Sequence, residues 1–178
     1  MREIDVGEII KAIEELCIKA NKILPDDLCG CISCAEKSET DELPKKIMGT
    51  LLENLDAAKE LNLPICQDTG MTVVFLRIGQ EVHIEGDFLE AAVNEGIRQG
   101  YAEGYLRKSV VSDPILWENT KDNTPGVIHY EIVPGDKLEI TVAPKGFGSE
   151  NMSRVFMLKP ADGIEGVKNA ILTAVRDA

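Results

Sequence analysis

Residues 64–84 read PICQDTGMTVVFLRIGQEVHI, and the change of pattern inside them decides the class of fold. Pro64 biases the residue before it away from helix, so the apolar-periodic stretch upstream should stop near Asn62. Residues 72–78 then form a β-branched and aromatic run, and Gly79-Gln80 is a turn that could fold it back on 81–84 as a hairpin. Helix gives way to strand here, and four reactive side chains sit in the loop between them.

Upstream, Val6, Ile9, Ile10, Ile13, Leu16, Cys17 and Ala20 recur at helical spacing, with Asp5 as N-cap and Glu8 three residues on. A loop is expected over 24–39, holding Pro25 and the cysteines between Cys29 and Cys34. A second amphipathic helix carries Leu43, Ile47, Leu51, Leu55 and Ala58. Downstream, Asp87 with Glu90 opens a third helix that runs to about Gly104, with Leu89, Val93, Ile97 and Tyr101 aligned. Residues 127–132 and 137–142 flank Pro134-Gly135-Asp136, which predicts a second hairpin. A short strand over 154–158 precedes a last helix, capped by Asp162 and Glu165 and bearing Ile164, Val167, Ile171 and Val175. Helices first, then hairpins mixed with helices, imply an α+β fold around an antiparallel or mixed sheet. No repeat, low-complexity tract or linker divides 1–178, so a single domain is expected. The last helix is still apolar-periodic where the sequence stops, which suggests a piece of a larger fold.

Bulk properties narrow the function. The chain has 178 residues, is 44% hydrophobic and 28% charged, and carries a formal charge of −12. Such an acidic chain is repelled by nucleic acid and by anionic membranes. No apolar run approaches the roughly 20 residues that span a bilayer. The N-terminus has acids inside its apolar stretch and lacks a signal-peptide core, so a cytoplasmic location is expected. Cys17, Cys29, Cys31, Cys34 and Cys66 leave an odd thiol however they pair, which reads as reduced thiols or metal ligands before disulfides.

Two stretches could carry chemistry. Cys66, Gln67, Asp68 and Thr69 place a thiol, an amide, a carboxylate and a hydroxyl in consecutive loop positions, and Gly70 frees the backbone after them. Asp-Thr-Gly is equally an ordinary turn. The other stretch is 143–151, APKGFGSEN, where two glycines after a strand let backbone N–H groups approach an anion. A glycine-rich loop that merely turns the chain is the plainer account of it.

Taken together, PICQDTG (64–70), Tyr105-Leu106-Arg107 at a helix end, NTPGVIHYEIVPGD (123–136), and PKGFGSENMS (144–153) with LKPADG (158–163) resemble the class I fumarate hydratases. The similarity extends to the related tartrate dehydratase alpha subunits and covers nearly the whole chain in order. The resemblance implies a hydro-lyase using a 4Fe–4S cluster held by three cysteines, and a place in the tricarboxylic acid cycle. Cys66 matches the first cluster ligand. The other two lie, in the family, beyond the point where this chain ends, so a truncated region inactive by itself is expected. Gln67 and Asp68 match residues at the substrate, with Asp68 the acid/base candidate. Arg107 matches an arginine that binds a substrate carboxylate, and Gly148 a position whose backbone touches substrate. The resemblance further implies a small dicarboxylate substrate, a beta subunit or C-terminal domain as partner, and a homo-oligomer. Fumarate and malate are the first-choice substrates and tartrate the second.

Against this stands a non-catalytic reading, in which Cys29, Cys31 and Cys34 bind metal or sense redox state. A structural zinc site needs about four ligands, and the family pattern has no cysteines there, so incidental thiols are the better expectation. Cys17 is expected in the core. His83 is expected to be solvated, His129 structural and Arg154 an ordinary surface residue. Trp117 is expected to anchor the polar loop 117–126 on the core.

Overall fold

A computed structural model gives the fold, describing residues 1–147 and 152–177. The chain falls into two compact units, Met1–Lys145 and Gly146–Ala178. The larger contains β1 (Arg2–Asp5), α1 (Val6–Lys22), α2 (Asp26–Ser38), α3 (Glu42–Leu61), β2 (Met71–Gly79), β3 (Val82–Glu85), α4 (Leu89–Glu103), β4 (Val127–Val133) and β5 (Leu138–Lys145). The smaller contains a 3-10 turn (Pro160–Asp162) followed by α5 (Gly163–Asp177). The fold is α+β with mixed sheets, as the pattern of elements implies. No helix among the described residues is long and apolar enough to cross a membrane.

The core forms where α1 and α4 cross and cover one face of the sheet. Ile9, Ile13 and Cys17 of α1 meet Val93, Ile97 and Tyr101 of α4, over Val74 and Leu76 of β2. The helices come this close because α4 presents glycine where they touch. A Cβ on Gly96 would lie 2.7 Å from the Ile10 carbonyl oxygen, and one on Gly100 2.8 Å from the Cys17 Cβ. The Asp5 carboxylate caps α1 by accepting from the Gly7 N–H, satisfying one of the donors that a helix start leaves open.

Strand pairing departs from the sequence reading at both expected hairpins. β2 and β3 are not partners: β3 leaves to pair with β1 in parallel, a strand the sequence did not announce. β4 and β5 are not partners either, because β2 lies between them, parallel to β4 and antiparallel to β5. The turn signals were real, but a turn signal reports only that the chain reverses. Inserting β2 between the reversing strands lets both of its edges pair, which a two-stranded hairpin cannot do. Where the strands meet that turn, Gly79 N–H donates to Lys137 O and Gln80 N–H to Val133 O, each at 2.8 Å. A side chain at Gly79 would collide with the Gly135 carbonyl.

Three other expectations are corrected. Residues 26–38 are helix rather than loop: Pro25 sits at the N-cap, a position that tolerates it, and Asp26 and Asp27 favour the first turn. Residues 153–159 pair in no strand. Trp117 is 78% exposed, with a left-handed φ of 58°, so it does not anchor its loop on the core. The Asp113 carboxylate fixes that turn instead, accepting from the N–H groups of Ile115 and Leu116. Helix α5 does follow Asp162, whose carboxylate accepts from the Lys159 N–H at 2.8 Å.

Candidate functional site

The segment that carries Cys66 leaves α3 by a left-handed residue, Asn62 (φ 54°), with Leu63 N–H donating to Ala58 O. Asparagine tolerates this conformation better than other side-chain-bearing residues. Ile65 is then held on both sides: its N–H donates to Asn21 O at 2.9 Å, and its carbonyl accepts from Asn54 Nδ2 at 2.9 Å. The chain reaches Cys66 from a fixed point, and the cysteine itself is exposed.

Beyond Asp68 the backbone dives into the core. Thr69 and Gly70 are buried, and every polar group there needs a partner. Tyr101 donates its hydroxyl to Thr69 O at 2.7 Å and reaches Gly70 O at 3.2 Å. Asn123 Nδ2 donates to Gly70 O at 3.1 Å. Gly70 has a φ of 61°, and its N–H donates to Asp68 Oδ1 at 3.0 Å. Burial raises the Tyr101 pKa, so the phenol stays a donor at neutral pH.

Arg107 arrives from the other side. Helix α4 ends at Gly104, Tyr105 takes a left-handed φ of 52°, and Leu106 plugs the core with its N–H on Tyr101 O. Arg107 then points away from the core and is exposed. Among the described residues its guanidinium has no ion-pair partner. Thr69 joins the two segments directly, donating its hydroxyl to the Arg107 carbonyl at 2.8 Å.

The result is an open cavity of about 330 Å³, lined by Cys66, Gln67, Thr69, Tyr105 and Arg107 among others. Three side chains singled out in the sequence, Cys66, Gln67 and Arg107, therefore share one concavity. Asp68 is half-buried and is not among the lining residues. Gly148 and the rest of 148–151 lie outside the described residues. Sequence reading missed the buried polar groups underneath. Asn123 sits in a stretch whose composition reads as a solvated turn, yet it is fully buried.

The other cysteines differ in setting. Burial pushes the Cys17 thiol up to about 12, as suits a core position. Cys29 donates to Leu24 O at 3.6 Å, whereas Cys31 and Cys34 are exposed on α2. Among the described residues, no group of three or more His, Cys, Asp or Glu is placed to hold a metal ion. A 4Fe–4S cluster needs several thiolates. Cys66, exposed at a cavity wall, fits as one ligand, and the described residues do not supply the rest. His83 is exposed, and His129 stacks on Phe75 with ring centroids 4.9 Å apart. The Arg154 guanidinium is exposed and donates to the Met152 and Ser153 carbonyls.

Comparison with known proteins adds to this geometry. A family model described as fumarate hydratase (Fumerase) matches residues 10–178. A protein of Methanocaldococcus jannaschii named "Putative L(+)-tartrate dehydratase subunit alpha" is 36% identical over 178 residues, covering 96% of this chain and 62% of that protein. The L(+)-tartrate dehydratase subunit alpha of Escherichia coli UTI89 is 29% identical over 166 residues, covering 91% of this chain and 54% of its own length. The chain thus spans between half and two thirds of the curated relatives it matches.

Proposed function

From a chain that belongs to the fumarate hydratase (Fumerase) family, a family of hydro-lyases, we propose that this protein is the N-terminal catalytic region, 1–178, of an alpha subunit. In this reading it serves the reversible addition of water across the double bond of a four-carbon dicarboxylate. The observation that carries the reading is the shared cavity, in which an exposed thiol, an amide and a guanidinium converge.

In this reading each residue takes the role that the family resemblance implies. Arg107 offers a planar fork to one substrate carboxylate, a bidentate match that lysine lacks. Among the described residues no acid pairs with it, so there the guanidinium is open to an anion despite the chain's charge of −12. Gln67 donates to or accepts from the substrate's polar groups. Asp68 moves the proton on the carbon beside a carboxylate, and the Gly70 N–H on Oδ1 orients its carboxyl group. The backbone at Gly148 contributes a further substrate contact. Cys66 is the one cluster ligand in this chain, and the remaining ligands come from elsewhere in the assembly. When bound, the cluster supplies a Lewis-acidic iron at the departing hydroxyl. A beta subunit or C-terminal domain completes the site, and the assembly is a homo-oligomer of such units.

Fumarate with malate is the first-choice substrate pair. A second reading, dehydration of L(+)-tartrate, is favoured by the names of the two relatives. Anaerobic reconstitution of the complete protein with iron and sulfide, followed by assay against both substrates, tests the proposal. Hydration or dehydration of either supports it; a cluster-loaded protein inert toward both, and toward related dicarboxylates, contradicts it.

A further inference from the structure

Two separate segments of chain line the cavity, within 63–69 and 105–107, and they run on to Gly70 and to Ser109 and Val110. Tyr101 holds the first from α4, and two further side chains bond across between the segments. Asn123, fully buried and left-handed at φ 65°, donates to Gly70 O at 3.1 Å. Its Oδ1 accepts from the N–H groups of Ser109 and Val110, at 2.7 and 3.1 Å. One amide thus spends its donor on one wall and its acceptor on the other. Thr69 makes the second link, its hydroxyl donating to the Arg107 carbonyl. Asn123 is fully buried, and Thr69, at the cavity lining, is 2% exposed, so a lost bond is poorly replaced by water.

We infer that Asn123 and Thr69 are positioning residues that act in parallel, setting the separation between the Cys66–Gln67 wall and Arg107. That separation is the distance between the reacting end of a dicarboxylate and its anchored carboxylate, so the inference rests on the hydro-lyase reading above. Neither residue needs to touch substrate. Either link holds the spacing when the other is cut, so the two should not behave as independent sites.

The experiment uses the complete, cluster-loaded protein with Thr69→Val, Asn123→Asp and the double variant. Thr69→Val keeps shape and removes the hydroxyl; Asn123→Asp keeps the acceptor for Ser109 and Val110 and removes the donor to Gly70. Each single change should raise KM for the dicarboxylate about tenfold or less, the size of one buried hydrogen bond. The double variant should exceed the product of the two, with kcat changing much less than KM. Thr69→Ser, which restores the hydroxyl, should return KM to the wild-type range. Hydrogen exchange should show the amides of 66–70 and 107–110 opening together in the double variant. A KM that is unmoved in the double variant, or that is the plain product of the singles, overturns the inference, even if thermal stability falls. Should the wild-type protein hydrate no dicarboxylate, the hydro-lyase reading is lost; exchange then still decides the clamp, and protection unchanged in the double variant refutes it.

Discussion

Two regions of the sequence bear thiols outside the core, and they occupy opposite kinds of environment. In 29–34 three cysteines crowd a single helix, α2, which has no buried residue. Cys31 and Cys34 face solvent there. At 64–70 there is one cysteine, but the chain around it is tied to α1 through Asn21, to α3 through Asn54, to α4 through Tyr101, and to 107–110 through Thr69 and Asn123. The lesson is that density of reactive residues is a poor guide to a site. Convergence of separate segments, each fixed by buried hydrogen bonds, is a better one, because a reacting group must be held to a fraction of an ångström.

That contrast can be attacked where the effect is largest. In the complete protein Asp68→Asn should lower kcat by about 10²–10⁴-fold, the usual weight of a general acid or base, in a steady-state hydration assay. A loss below threefold removes Asp68 from the reaction. Arg107→Lys keeps the charge but loses the fork, so KM should rise on the order of tenfold. An unchanged KM rules out the assigned carboxylate contact.

The buried thiol gives a smaller and differently signed effect. Cys17 is pushed up to about 12 from an ordinary 9.0 by burial. Below pH 9 the thiol is neutral in both folded and unfolded chains and has no influence. Above it the unfolded chain loses a proton that the folded chain keeps, so stability falls as pH rises from about 9 toward 12. The slope is on the order of 1 kcal/mol per pH unit. Urea titrations across that range should show it, and Cys17→Ala, though less stable throughout, should lack this contribution. Smallest of all, Cys31→Ser combined with Cys34→Ser should shift stability by less than about 0.5 kcal/mol, as exposed substitutions do. A larger loss in thermal denaturation would mean that α2 holds a function for those thiols.

Much of the fold was legible before any coordinates. The 3.6-residue periodicity placed α1, α3, α4 and α5, because each buries or presents a continuous apolar stripe. Strand pairing was not legible. Gly79-Gln80 and Pro134-Gly135-Asp136 do reverse the chain, but which strand lies alongside is a tertiary choice, made by covering both edges of β2. The site divides the same way. Cys66, Gln67 and Arg107 could be named from motifs, since in the proposed reading their side chains carry the chemistry. The linking roles of Asn123 and Thr69 could not be read, because they lie in what these side chains bond to across 53 and 38 positions of sequence.

The account turns on which sulfur carries iron. Anaerobically reconstituted complete protein should be compared with its Cys66→Ser variant and with the variant lacking both α2 thiols, measuring iron per chain. Near-total loss of bound iron in Cys66→Ser, with wild-type content in the α2 variant, is the expected result. Full iron retention without the Cys66 sulfur, or loss on removing Cys31 and Cys34, contradicts it.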